Sequence, residues 1–414
     1  MVVERGGGVG KLQLSTIFKL LAVLYVAHKV LPMVGHYMPS IIYAGIFAIL
    51  IVFLLTCAPK AMNSKDALYL LMIFSVSLLE TIPYITAGNT TSTMIYLYGE
   101  MQILLYGWLI LWYVKYTDLK STKKVLFVIA LFYIFTAVTT YLGCTRFPLA
   151  ARYMAANSGN DPTYQMYVSN NIGGFTFVYE TVLLLPLLIY LFKSKKINRI
   201  FCLLLFVVIG AAVIKTEYTT ALLVFIIDLF LIFMRKLTTR RIIVFILICA
   251  LVIAVGNLFL ADFFDYLSVN VDSEEYSTRF SFIADLLKGD TNTDASDSGS
   301  SRLDLYQKSW DSFWNSSMVG GWGNSPIGGH SFILDTMGEY GFIGLICVVF
   351  VYFGIYKYSL RPYKNEDFYP YLLWSYIIAI ILAVLNPKPN LFVFICIIPL
   401  FAQVMRKRMP NRKK

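Results

Sequence analysis

Two side chains in one stretch, Arg302 and His330, carry the chemistry that the chain offers most plainly. The stretch runs from Ser301 to Gly344: SRLDLYQKSWDSFWNSSMVGGWGNSPIGGHSFILDTMGEYGFIG. It is the one long segment that is neither a clean apolar run nor a basic loop. Leu303, Tyr306, Trp310, Phe313 and Trp314 repeat at helical spacing and predict an amphipathic helix over 302–314, with Ser301 as its cap and Asp304 completing a box-like start. A cation in the first helical turn opposes the macrodipole, so stability alone would place Asp or Glu there. A guanidinium beside the free N–H groups of a helix start instead makes an anion pocket. The plainer alternative is an arginine that snorkels to lipid phosphates. His330 follows the glycine-dense turn Gly320-Gly321-Trp322-Gly323 and Gly328-Gly329, where the backbone can approach closely or take a positive φ. It is one of three histidines. An imidazole titrates at about pH 6.5 and suits a base near neutrality; a structural hydrogen-bonding histidine is the competing reading. His28 and His36 lie on or near the first apolar run and have no metal-ligand spacing with it.

The elements that must hold this stretch are apolar helices. Hydrophobic residues make up 58% of the chain and charged residues 14%, with a mean hydropathy of +0.68. Soluble domains carry about a quarter charged residues, so the composition implies an all-α polytopic membrane protein. A spanning helix needs about 20 apolar residues. About twelve spans are expected, near 14–33, 40–58, 67–87, 94–114, 125–143, 173–192, 199–215, 217–234, 241–260, 341–358, 370–386 and 390–405. No cleavable signal pattern is seen. Lysines and arginines alternate loop by loop, which predicts cytoplasmic N- and C-termini. The net charge of +11 is explained by that topology, so no nucleic-acid partner is expected. The six cysteines show neither pairing nor CxxC spacing.

Residues 1–260 thus hold nine spans and an outer loop at 144–172. Residues 261–340 form a large extracytoplasmic loop with short amphipathic helices at 274–288 and 302–314, separated by a low-complexity flap at 289–300. Residues 341–405 hold the last three spans, and 406–414 are a basic cytoplasmic tail. Cations are scarce on the outer side, and Arg302, Arg152 and Lys215 lead as anion ligands. Glu80, Glu100, Glu180 and Asp228 fall inside predicted spans, where a carboxylate is costly. They would either line a cavity or sit at span ends.

Arg302 with Tyr306 and Trp310, then GGWG, then Gly329-His330-Ser331 with Leu334, Gly338, Gly341 and Gly344, resembles the signature of the O-antigen ligase and polymerase family. The variant GGHSFILD, with Ala151-Arg152 and Asn171-Ile172-Gly173-Gly174-Phe175, is similar to capsule-type repeat-unit polymerases of the Wzy type. The resemblance implies a C-type glycosyltransferase-like fold in a bacterial cell membrane, acting on undecaprenyl-diphosphate-linked oligosaccharides. It maps the family's loop arginine to Arg302 and its loop histidine to His330. A chain-length regulator and a flippase of the same pathway are the partners that it suggests. One departure stands out. Where the family carries a further arginine near the start of an earlier span, this chain reads Glu217-Tyr218-Thr219-Thr220-Ala221-Leu222; Lys215 or Arg152 would supply the missing charge.

A lipid diphosphate leaves easily if positive charge meets it, so guanidinium groups and one base suffice. Metal-using relatives of the fold carry acids in the first outer loop. Here that loop reads VGHYMPS, and no metal or other cofactor is expected. The acidic residues of 290–297 read as a solvated flap. The expected activity is polymerisation of lipid-linked repeat units by inverting glycosyl transfer. The alternatives are a ligase moving glycan to another acceptor, and a flippase or other twelve-span transporter. A transporter would show pseudo-repeats and broken mid-membrane helices.

Overall fold

The computed structural model describes residues 9–57, 63–86, 90–157, 161–234, 237–288, 300–316, 320–322 and 325–406, and among these the chain is helical without a strand. The low-complexity flap at 289–299 lies outside the described residues, as do the side chains of residues 300–302. Each of the twelve apolar runs falls on one helix or on two consecutive ones, from Val9–Val30 to the pair Val393–Ile397 and Ile398–Met405. Among the described residues four helices, Ser64–Pro83, Leu119–Arg146, Phe175–Ser194 and Phe332–Tyr363, are long and apolar enough to cross a membrane. Ser40–Thr56, Thr219–Phe233, Tyr369–Leu385 and Val393–Met405 are shorter apolar helices. Large side chains such as Ile41, Val52, Phe230 and Phe233 face outward. Water would not tolerate that much exposed apolar surface, and lipid does.

The helix Phe175–Ser194 runs through the middle of the bundle. Every residue from Phe177 to Leu183 is buried, as expected of a helix that is apolar all round. The helices Arg199–Lys215, Thr219–Phe233 and Tyr369–Leu385 pack around it.

The outer segments hold more helix than their composition suggested. Loop 144–172 contains the short helices Ala150–Ala156 and Pro162–Ser169. Its exit, Asn171 to Gly173, is fastened to the helix Leu119–Arg146. Asn171 Nδ2 donates to Thr139 Oγ1 at 2.9 Å and to Thr136 Oγ1 at 3.2 Å, and the Gly173 N–H donates to Thr140 Oγ1 at 2.7 Å. The Asn-Ile-Gly-Gly motif therefore has a scaffolding role that its residues account for. The run expected to span to residue 260 breaks at Gly256: one helix covers Thr239–Val255 and a second, Asn257–Asn270, folds against Glu274–Lys288. Phe264 and Phe280 meet between these two, with ring centroids 5.9 Å apart. The amphipathic helix Ser300–Ser316 lies along Phe332–Gly354. That second helix is interrupted at Gly341, whose φ of 58° and ψ of −142° no L side chain adopts readily.

Candidate active site

His330 sits on a turn that two helices hold from either side. Ser331 caps Phe332–Gly354, its Oγ accepting the Leu334 N–H at 3.0 Å. Asp335, one turn in, reaches back over the turn. Its Oδ1 accepts the Ser309 hydroxyl at 2.5 Å and the Gly329 N–H at 3.1 Å, and its Oδ2 accepts the Ser331 N–H at 2.7 Å. Ser309, fully buried on the helix Ser300–Ser316, also accepts the Gly328 N–H at 2.8 Å. Residues 328, 329 and 331 are thus pinned by one carboxylate and one hydroxyl, and residue 330 is presented between them. The glycines are required here. A Cβ on Gly328 would lie 2.1 Å from the Leu305 carbonyl oxygen, and Gly329 has a φ of +73°.

The imidazole faces a cavity of about 1060 Å³. Arg152 of the helix Ala150–Ala156, Arg279 of Glu274–Lys288, and Leu303 and Tyr306 of Ser300–Ser316 line the same space. Arg152 and Arg279 share one carboxylate: Glu275 Oε1 is 2.8 Å from Arg152 Nη2 and 2.9 Å from Arg279 Nε. Arg152 Nη1 also donates to the Glu217 carbonyl at 3.0 Å. Its guanidinium is therefore held at the start of the segment Glu217-Tyr218-Thr219-Thr220, of which Tyr218, Thr219 and Thr220 also line the cavity. Tyr218 fixes the pairing by donating its hydroxyl to the Ala151 carbonyl at 2.6 Å. Lys215, the other cation weighed for that role, is exposed and is not among the residues lining the cavity. The side chain of Arg302 lies outside the described residues, while its neighbours Leu303 and Tyr306 bring its helix to the cavity wall.

The wall opposite in sequence comes from both ends of the chain. His28, Lys29 and His36 line it, with Glu180, Asn386 and Lys388. All three histidines of the chain therefore meet one cavity. His36 Nδ1 lies 2.5 Å from Gln165 Oε1 and ties the helix Pro32–Tyr37 to Pro162–Ser169. His28 stacks on Tyr43 with ring centroids 3.7 Å apart. Glu180 accepts the Tyr133 hydroxyl at 2.8 Å and lies 3.8 Å from Lys29 Nζ. Lys388 is open to the cavity but ringed by protein. That enclosure, and then Lys29, push its ammonium below its ordinary range. Of the charged residues lining the cavity among those described, Lys29, Arg152, Arg279 and Lys388 are cations and Glu180 is the acid. The cavity is built to receive negative charge.

Two in-span carboxylates thus part company. Glu180 lines the cavity, whereas Asp228 is buried against Trp374, whose Nε1 donates to Asp228 Oδ1 at 2.6 Å. Glu80 is half-buried, and the side chain of Glu100 lies outside the described residues. Lys29, Glu180, Asn386 and Lys388 would be hard to join from sequence, since more than 300 positions separate the first from the last. A weak signal existed: Lys388 and Arg279 are among the few cations on the predicted outer side.

No curated protein matches the chain. Residues 203–349 match the family model described as O-antigen ligase. That segment contains Lys215, Arg279, Arg302 and His330, whereas Arg152, Lys29 and Lys388 lie beyond it. Over residues 203–349, the stretch that supplies His330 and one of the two paired guanidiniums, the chain is similar to the O-antigen ligase family that its motifs resemble.

Proposed function

We propose that this membrane glycan-transfer enzyme is a polymerase that joins undecaprenyl-diphosphate-linked oligosaccharide repeat units into surface polysaccharide. In this reading the chain crosses the bacterial cell membrane about twelve times with both termini cytoplasmic, and the cavity opens to the outer face. The acceptor's sugar hydroxyl loses its proton to the His330 imidazole as its oxygen bonds to the donor's anomeric carbon. The bond from that carbon to the diphosphate oxygen breaks, and the electron pair leaves with the diphosphate. Attack opposite the leaving group inverts the anomeric centre. Arg302, Arg152 and Arg279 receive the growing charge, where fixed donors do most for the transition state. Lys215 stands outside the cavity wall and is left out of this scheme. The scheme needs no metal.

The observation that carries the reading is a single cavity joining His330 to Arg152 and Arg279. The test is turnover by purified protein on a defined lipid-diphosphate oligosaccharide, with and without chelator. Polymerase activity predicts a ladder of products from that one substrate, unchanged by chelator. Transfer of a single glycan onto a chemically different acceptor, and none onto the lipid-linked repeat, would instead make it the ligase that the family's description names.

A further inference from the structure

The cations of the cavity fall into two groups with separate counter-ions. Arg152 and Arg279 share Glu275, with contacts at 2.8 and 2.9 Å. Lys29 lies 3.8 Å from Glu180, which also takes the Tyr133 hydroxyl, and Lys388 feels the charge of Lys29. The second group is short of negative charge, because Lys388 has no carboxylate partner among the described residues whereas Arg152 and Arg279 each contact Glu275. It is also short of an acceptor. Asn386 is 3% exposed, and its Nδ2 is buried with no hydrogen-bond partner among the described residues. Its position is fixed: its carbonyl accepts the Phe332 N–H at 2.8 Å, which seats residues 386–388 against the start of the helix that follows His330. An unmade hydrogen bond on a buried amide is destabilising, and neighbouring like charges repel. Both penalties vanish when an anion with several acceptor oxygens enters. The enclosure that lowers the Lys388 ammonium makes the same demand.

We infer that Lys29, Lys388 and Asn386 form a second diphosphate subsite, apart from the Arg152 and Arg279 pair, which holds the other lipid-linked substrate. The inference rests on the polymerase reading, because joining two lipid-linked repeats brings two diphosphates to the enzyme at once. Transfer to a neutral acceptor brings only one. A volume of about 1060 Å³ stands at the top of the range that a single small ligand fills. Two headgroups account for it.

The experiment uses the full chain in nanodiscs and farnesyl diphosphate as the probe, with bound copies counted by native mass spectrometry. The wild type should bind two and Lys388→Gln one, with inorganic pyrophosphate displacing both. In the turnover assay Lys388→Gln should raise the KM of one lipid-linked substrate about tenfold or more, as the loss of a charged hydrogen bond implies, and spare the other. Lys388→Arg should restore it. Misfolding of the variant is checked by the second probe site remaining filled. One probe per wild-type chain, or two on Lys388→Gln with both KM values intact, overturns the inference. Two probes on a wild type that joins no repeat units would leave the subsite standing and remove the polymerase reading. Polymer from a chain that binds one probe would do the reverse.

Discussion

At the scale of single residues, His330 and Asp335 divide the work between chemistry and placement. His330→Ala should slow chain growth about 10² to 10⁴-fold, the usual worth of a general base, so that cells accumulate single lipid-linked repeats. Normal long polymer in that variant would remove the base from His330. Asp335 touches no substrate in this scheme; it accepts three donors that fix the turn around His330. Asp335→Ala should therefore lower kcat and displace the pH–rate limb that belongs to the imidazole. Asp335→Asn, which keeps one acceptor oxygen, should recover part of the rate. A loss of rate with the pH profile unmoved would mean that Asp335 serves folding alone. Arg152 shows how far residue types carry an argument. Its charge was visible in the sequence as a rare cation of the outer side. Its contact with the Glu217 carbonyl was not, because the two are 65 positions apart and no local period links them.

At the scale of elements, the close approach of Ser300–Ser316 to the His330 turn is the feature most open to test. Gly328→Ala would drive a methyl against the Leu305 carbonyl, 2.1 Å away. Overpacking of this kind costs about 1–3 kcal/mol, so the melting temperature in detergent should fall and turnover with it. A variant as stable and active as the wild type would show that the two segments separate freely. The amphipathic helices at 274–288 and 302–314 were legible because their apolar stripes keep helical period. Ala150–Ala156 and Pro162–Ser169 were not. The first has seven residues and the second eight, too few for a period to declare itself, and their shape comes from tertiary bonds such as that of His36 to Gln165.

At the scale of the whole molecule, alternating loop charge placed 144–172, 261–340, the short turn after the first run and the turn before the last on one face. The structure gathers residues from all four on one cavity. Hydropathy was less able to count crossings. Arg199–Lys215 and Tyr369–Leu385 have 17 residues each and Thr219–Phe233 has 15. A straight crossing needs about 20, and apolar residues beyond the helix ends are used in turns. Orientation is settled by labelling. In a background without cysteine, Ser325→Cys should react with a membrane-impermeant maleimide on intact cells. Reaction only after permeabilisation would put the cavity on the cytoplasmic side and end the scheme.

The turn at 385–388 carries a last implication. Tyr306 donates its hydroxyl to the Leu385 carbonyl at 3.0 Å, and the Phe332 N–H donates to the Asn386 carbonyl at 2.8 Å. A hairpin near the C-terminus is thereby sewn to two helices of a distant insertion. Chimeras that exchange only the loop between relatives should arrive mis-seated, and specificity swaps in this architecture must transplant the hairpin and its two anchors as one cassette.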